Sequence, residues 1–370
     1  MNNQFSNRRQ FIKTAVVAAA GAPLLHGLVT KSFAAEPGRK LGFAVVGLGN
    51  LSTNQIAPAL LKTKNCRLAA IVTGHPAKAE KWKAQYGIVD KNIYNYGNME
   101  KMADNPDIDV VYVVTPNALH AEHTLKAAQA GKHVLCEKPM EVSTTKCQAM
   151  IDACKKAGRL LAIGYRCQFE PHHLECARLA REKVFGNVKT IEAGFGFTIG
   201  DPTQWRLNRA LSGGGPLMDV GIYSLNACRY LTGQEPEHIA AYASTIDRDG
   251  RFKEVEENVS WTMRFPSGIV ASCSTTYGAN MAGYFKVYGS KGWLQVDNAF
   301  VYEGLHLRAQ LGSETLDEPN PARDPSQFQA EAEHFSHCLQ NNLDPQSPGE
   351  EGLRDMKYIT EIYRSAGISV

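Results

Sequence analysis

Short apolar runs recur through the first half of the chain, and each hands over to glycine or polar residues: Leu41 to Val46, Leu68 to Val72, Asp109 to Val114, Val134 to Cys136 and Leu160 to Ile163. Runs without alternation fit strands buried on both faces. The helical spacing of Gln55 to Leu61 and Ser143 to Lys156 between them fits crossover helices. The expected first domain is therefore a parallel α/β sheet ending near residue 164. Beyond it a helix is expected from His173 to Glu182, and then the period changes. Val259 to Phe265 alternates apolar with polar residues, as a strand with one wet face does. Residues 188–197, 238–245, 269–276, 284–288 and 293–297 read as further strands of a large, mostly antiparallel open sheet. Its free face is expected to serve a homo-oligomer. One helix runs from the glycine run at 213–215 to about Tyr230, and Phe328, Ala332, Phe335 and Leu339 mark an amphipathic helix near the end.

Residues 1–34 stand apart. Asn7-Arg8-Arg9-Gln10-Phe11-Ile12-Lys13 precedes the mildly apolar run Thr14 to Val29, and Ser32-Phe33-Ala34 has the small residues of a cleavage site. This pattern resembles a twin-arginine export signal, which predicts passage of the folded precursor through the twin-arginine export machinery and a periplasmic mature protein. Gly21, Pro23, His26 and Gly27 interrupt the run, so no stable membrane anchor is expected. Removing residues 1–34 takes away Arg8, Arg9, Lys13 and Lys31 and no acid. Lys+Arg falls from 40 to 36 against 37 Asp+Glu, and the formal charge goes from +3 to −1. A nucleic-acid partner then has no electrostatic support. The nine cysteines are odd in number and contain no CxxC pair, which excludes a complete disulfide framework within one chain. With 370 residues, 44% of them apolar, the chain has core enough for two domains.

The chemistry-bearing residues sit where the predicted strands end, the side of an open α/β sheet where ligands bind. Gly47-Leu48-Gly49-Asn50-Leu51-Ser52 follows the first strand and opens a helix, a dinucleotide fingerprint whose third glycine is a serine. The first glycine permits the tight turn, the second lets backbone approach a pyrophosphate, and small Ser52 permits close helix packing. Gly47, Leu48, Gly49, Asn50 and Leu51 are thus the expected phosphate loop. The second strand ends in Thr73, Gly74 and Lys78 without a carboxylate for the ribose hydroxyls, so NADP is expected over NAD. Thr115, Asn117 and His120 follow the next strand and are expected at the cofactor. Glu137-Lys138-Pro139 ends the strand Val134 to Cys136, and Pro139 is expected to hold Lys138 extended. Asp219 and Tyr223 lie four apart on one predicted helix face, where the carboxylate would orient the phenol. Trp205 and Arg206, in a loop-like stretch, are expected to pack on or clamp the nucleotide. His334, His337 and Cys338 have a spacing open to a metal, but they flank the amphipathic helix and no metal site is expected.

Together, Gly47-Leu48-Gly49, Pro116-Asn117-x-x-His120, Glu137-Lys138-Pro139 and Gly213-Gly214-Gly215-x-x-x-Asp219-x-x-x-Tyr223 resemble the Gfo/Idh/MocA oxidoreductases from about residue 41 to the C-terminus. Gly164-Tyr165-Arg166-Cys167, Gln204-Trp205-Arg206-Leu207 and a Tyr at 223, where many members have His, are most similar to the glucose-fructose oxidoreductase branch. The resemblance implies a Rossmann domain over residues 35–164, a C-terminal α/β substrate and oligomerisation domain over 165–370, and a nicotinamide between them. It implies oxidation of an aldose at C1 to a lactone, with Lys138, Tyr223 and Asp219 catalytic, Glu137 beside the cofactor and Arg166 at cofactor or substrate. The Lys138 ammonium is expected to favour an anionic Tyr223. Export adds the expectation that NADPH stays bound and is reoxidised by a second sugar such as fructose. The short arm Ala35 to Lys40 departs from that branch, whose longer arm covers the cofactor. Three alternatives stay open: a nicotinamide-dependent glycoside hydrolase, a dehydrogenase with exchangeable NADP, and a nucleotide-binding regulator.

Overall fold

The structure is a computed structural model and describes residues 39–320 and 326–369. The expected export signal lies outside the described residues. Strands β1 (Leu41–Val46), β2 (Cys66–Val72), β3 (Ile93–Tyr94), β4 (Val110–Val113), β5 (His133–Glu137) and β6 (Leu161–Gly164) pair in parallel in the order β3-β2-β1-β4-β5-β6. The order reverses between β1 and β4, so a crevice opens at the carboxyl ends of the strands. Helices α1 (Ala57–Lys62), α2 (Pro76–Tyr86), α3 (His120–Gln129) and α4 (Thr144–Lys156) make the crossovers. Every residue of β1 and β4 is buried, the physical source of their unbroken apolar runs. Two-residue β3 has no such run and escapes a pattern reading. The helix expected at Gln55 instead begins as a π-helical turn over Ser52–Ile56, a wider first turn directly after the glycine loop.

The second sheet contains β7 (Val188–Gly196), β8 (His238–Ser244), β9 (Asn258–Arg264), β10 (Val270–Thr276), β11 (Met281–Gly289), β12 (Gly292–Asp297), β13 (Leu305–Leu311) and β14 (Glu314–Asn320). Their order is β14-β13-β12-β11-β7-β10-β9-β8, antiparallel except for the β7/β10 pair. Alternation is plain in β9, where Val259, Trp261 and Met263 are buried while Ser260, Thr262 and Arg264 face out. Strands β13 and β14 lie beyond the last expected strand, although buried Leu305, Leu307 and Ala309 carry the same period of two. Helix α5 (Pro171–Arg181) lies between the sheets in sequence, α6 (Arg209–Ser212) and α7 (Ile222–Thr232) between β7 and β8, and α8 (Gln327–Asn341) and α9 (Gly349–Ser365) after the last strand.

Helix α8 does not stay with the second sheet. Its apolar stripe of Phe328, Ala332, Phe335 and Leu339 packs in one core with Phe43, Val45, Tyr112 and Leu135 of the parallel sheet. Each buried Phe contributes roughly 1.5–3 kcal/mol. Ser326 caps the helix by accepting from the Gln329 N–H, and Glu333 accepts from Asn65 Nδ2 at 2.7 Å. Residue 164 therefore divides the sequence without dividing the packing.

Candidate functional site

The loop after β1 has the shape a pyrophosphate needs. Gly47 has φ +92°, and a Cβ added there would sit 2.6 Å from the Val114 carbonyl oxygen. Gly49 and Asn50 are exposed at the crest, and a Cβ added at Gly49 meets nothing within 4 Å. Leu48 is buried beneath, with Leu51 packed on the same core. Ser52, fully buried, donates its hydroxyl to the Gly47 carbonyl and closes the loop on the helix. At the end of β2, Thr73 Oγ1 accepts from the His75 N–H at 3.2 Å, while Gly74 and Lys78 are exposed.

Three residues expected at the cofactor also bond within the protein. Asn117 Nδ2 donates to the Ser212 carbonyl at 2.8 Å, tying the crevice to the turn before the glycine run. His120 is buried with Nδ1 2.9 Å from the Pro139 carbonyl oxygen and Nε2 2.7 Å from that of Thr115. Burial holds its pKa below the usual imidazole value against the pull of these carbonyls. The neutral ring has one N–H to give, so it donates to one of these carbonyls and packs against the other, between the ends of β4 and β5. Thr115 Oγ1 lies 3.1 Å from His123 Nδ1.

At the end of β5 the Lys138–Pro139 peptide is cis. Lys138 Nζ donates to the Asp219 carbonyl at 2.5 Å and to its Oδ1 at 3.3 Å. Asp219 Oδ2 accepts from Arg206 Nε at 2.7 Å and from the Tyr277 hydroxyl at 2.9 Å. Burial alone would raise the Asp219 pKa. The charges of Arg206 and Lys138, with the bonds from Arg206 and Tyr277, outweigh it and hold the carboxyl well below the usual range. Trp205 stacks on the Arg206 guanidinium, 4.7 Å from ring centroid to Cζ, so this pair buttresses Asp219.

No hydrogen bond joins Asp219 to Tyr223, because the carboxylate is taken by Lys138, Arg206 and Tyr277. Tyr223 accepts instead from Arg166 Nε at 3.2 Å. Its ring stacks on Phe300 at 5.6 Å, and Lys138 Nζ lies 4.6 Å from its centroid. The cation bonded to the phenol is thus Arg166 and not Lys138. Burial raises the Tyr223 pKa and Arg166 opposes it only in part, so the resting phenol is protonated. The rest of the Arg166 fork donates to Gln327 Oε1 (2.6 Å) and to the carbonyls of Phe300 (2.6 Å) and Val301 (3.3 Å). A guanidinium so engaged positions Tyr223 and has little left for cofactor or sugar.

Glu137 turns away from the crevice. Its Oε1 accepts from the Tyr112 hydroxyl at 2.8 Å, and a Cβ on Gly164 would come within 3.1 Å of the same oxygen. Tyr277, Phe300, Gln327 and Glu331 belong to this shell and were not singled out in the sequence. Only Tyr277, directly after β10, had a usable signal. His334 Nε2 accepts from the Gln346 N–H at 2.9 Å, and among the described residues no group of three or more His, Cys, Asp or Glu has the arrangement of a metal site.

Residues 41–165 match the model of the Gfo/Idh/MocA oxidoreductase family with its NAD-binding Rossmann fold, and residues 173–295 match the family's C-terminal domain. The chain is 31% identical over 329 residues to a D-xylose 1-dehydrogenase [NADP(+)] of Haloarcula marismortui, covering 88% of this chain and 90% of the relative. It is 48% identical to an aldose-aldose oxidoreductase of Caulobacter crescentus whose crystal structure holds glycerol, with a TM-score of 0.86 over 89% of this chain and 98% of that one. A 3-ketoreductase of Actinomadura kijaniata, 22% identical and solved with NADP and TDP-benzene, shares the fold at a TM-score of 0.78 over 88% of this chain and 98% of its own. With its glycine loop, its Glu137-Lys138-Pro139 strand end and both family domains in sequence, the chain belongs to the Gfo/Idh/MocA oxidoreductases.

Proposed function

We propose that this protein oxidises an aldose at C1 to its lactone and returns the hydride to the carbonyl of a second sugar in the same crevice. The cofactor is NADP. Its pyrophosphate fits over the Gly47–Ser52 loop, and the carboxylate-free end of β2 suits a 2′-phosphate near Thr73 and Lys78. When bound, the nicotinamide supplies the hydride acceptor; the proton is the protein's concern. The observation that carries the reading is the convergence of Lys138, Asp219, Arg166 and Tyr223 at the carboxyl end of the parallel sheet.

Ionised Asp219 fixes Lys138 through two bonds, leaving the ammonium a third donor for a sugar hydroxyl. Tyr223 accepts from Arg166, so its own hydroxyl proton is free to point at substrate. In the reducing half-reaction this proton goes to the carbonyl oxygen, and Arg166 stabilises the phenolate left behind. In the oxidising half-reaction the phenolate takes the C1 hydroxyl proton. The two halves return Tyr223 to its starting state. An aldose is favoured over fructose as acceptor by the 48% identity to an aldose-aldose oxidoreductase. Export through the twin-arginine route would put the enzyme in the periplasm with its cofactor retained.

The test is to purify the mature protein, release its nucleotide by denaturation and, in a second sample, follow NADPH absorbance on adding glucose or xylose and then a second sugar. Bound NADP that is reduced by one aldose and reoxidised by another supports the cycle. Reoxidation by fructose alone would move the acceptor to a ketose, and turnover only with added NADP would make the enzyme an ordinary dehydrogenase.

A further inference from the structure

Behind Lys138, on the face of the parallel sheet covered by α8, two carboxyl groups converge on one hydroxyl. The Tyr112 oxygen lies 2.8 Å from Glu137 Oε1 and 3.1 Å from Glu331 Oε2. Tyr112 is 1% exposed, Glu331 2% and Glu137 6%. A phenol carries one proton and can donate it fully to one carboxylate only, so the second contact needs a proton of its own. Two ionised carboxylates here would leave one buried anion without a full hydrogen bond, in a setting where that is most costly.

The surroundings decide which carboxyl carries the extra proton. Burial pushes the Glu137 carboxyl above its ordinary range, but the Tyr112 hydroxyl, the charges of Lys138 and Arg166 and a bond from the Lys138 backbone all oppose it. Glu331 also feels Arg166, but its other oxygen, Oε1, is buried with no hydrogen-bond partner. The remaining groups that act on the cluster are the Cys167 thiol beside Glu331, and the Cys136 thiol and the Tyr223 and Tyr302 phenols beside Glu137. All four are uncharged when protonated. An oxygen without a donor suits the carbonyl of a neutral acid and not one end of a carboxylate. Burial and the neighbouring Glu137 both push in the same direction.

We propose that Glu331 is a protonated carboxylic acid in the working enzyme, donating to Tyr112, which donates to Glu137, so that Glu137 is the single anion on the far side of Lys138. Glu331 is a positioning residue: it contacts neither sugar nor nucleotide and acts through Tyr112. Its neutrality matters for the charge around Tyr223. Lys138, Arg166 and Arg206 against Asp219 and Glu137 leave one net positive charge, which favours the phenolate that aldose oxidation needs. An ionised Glu331 would cancel it. That role rests on the aldose reading; the protonation state does not.

The test is an infrared difference spectrum, wild type minus Glu331→Gln, on the cofactor-loaded protein at pH 8 without substrate. The expected result is loss of one carboxylic-acid C=O stretching band, which in the wild type shifts on transfer to deuterated buffer. Loss of carboxylate bands alone overturns the proposal. A second reading is the pH profile of aldose oxidation. Gln reproduces a neutral donor, so the profile should move by less than 0.3 pH unit, whereas removal of an anion would shift its rise to lower pH by a unit or more. Should the variant not fold, the wild-type spectrum serves: an acid band of constant intensity between pH 7.5 and 9 is expected, and its absence overturns the assignment. The infrared result involves no turnover, so it survives a failure of the proposed function.

Discussion

Glu137 and Lys138 are neighbours in the chain and opposites in surroundings. Lys138 enters an ionised set, with Asp219 between it and Arg206 and with Tyr277 completing the carboxylate. Glu137 points to the other side of the strand end, where its partner across Tyr112 is another acid. On the first side each charge has a counterion within bonding distance, and on the second Glu137 is bonded by a phenol and the Lys138 backbone, with a second carboxyl beyond the phenol. The difference teaches that the charge on a buried group follows from its donors and not from its residue type.

The largest effect should come from breaking the ionised side at its point of action. Tyr223→Phe should lower turnover by about 10³-fold while leaving bound NADP in place, a split read by single-turnover reduction and by the nucleotide released on denaturation. Asp219→Ala tests the counterion itself. Removing it leaves Lys138 and Arg206 facing each other with little solvent, and the variant should lose about 3–5 kcal/mol of stability in urea unfolding, against little for Asp219→Asn if hydrogen bonding alone mattered.

A third experiment asks whether other uncompensated buried groups stay neutral. His123 is 2% exposed beside Thr115 and stacked on Tyr96 at 4.9 Å, and burial pulls its pKa from 6.5 down to about 4. Because the unfolded state binds this proton more tightly, stability falls as pH drops from about 6.5 towards 4. The loss should be about 3 kcal/mol, absent in His123→Gln. The smallest effect is expected from Arg166→Lys, which removes the Nε donor to the phenol. The alkaline rise of aldose oxidation should then move up by about one pH unit; an unmoved profile would detach Arg166 from Tyr223 chemistry.

Much of the fold was legible, because strands covered on both faces must be apolar throughout. Leu41 to Val46 has the bounds read from the sequence, and β4 and β5 differ from theirs by one residue at each end. Short β3 and the edge hairpin β13/β14 gave weaker signals. Strand ends also pointed to Lys138, and the glycine run led to Asp219 and Tyr223. What stayed hidden was who bonds whom. Arg166 and Tyr223 are 57 residues apart, Tyr112 and Glu331 are 219 apart, and no local spacing records such a meeting. Asp219 shares a helical stretch with Tyr223, yet its oxygens go to Lys138, Arg206 and Tyr277, which come from three other parts of the chain.

Helix α8 has a consequence for how this architecture can be recombined. A graft of residues 41–165 onto another C-terminal half would bring Tyr112 and Glu137 without Glu331, and Phe43 and Leu135 without Phe328 and Phe335. The transferable unit is discontinuous in the gene: the nucleotide half travels intact only when residues 326–342 go with it.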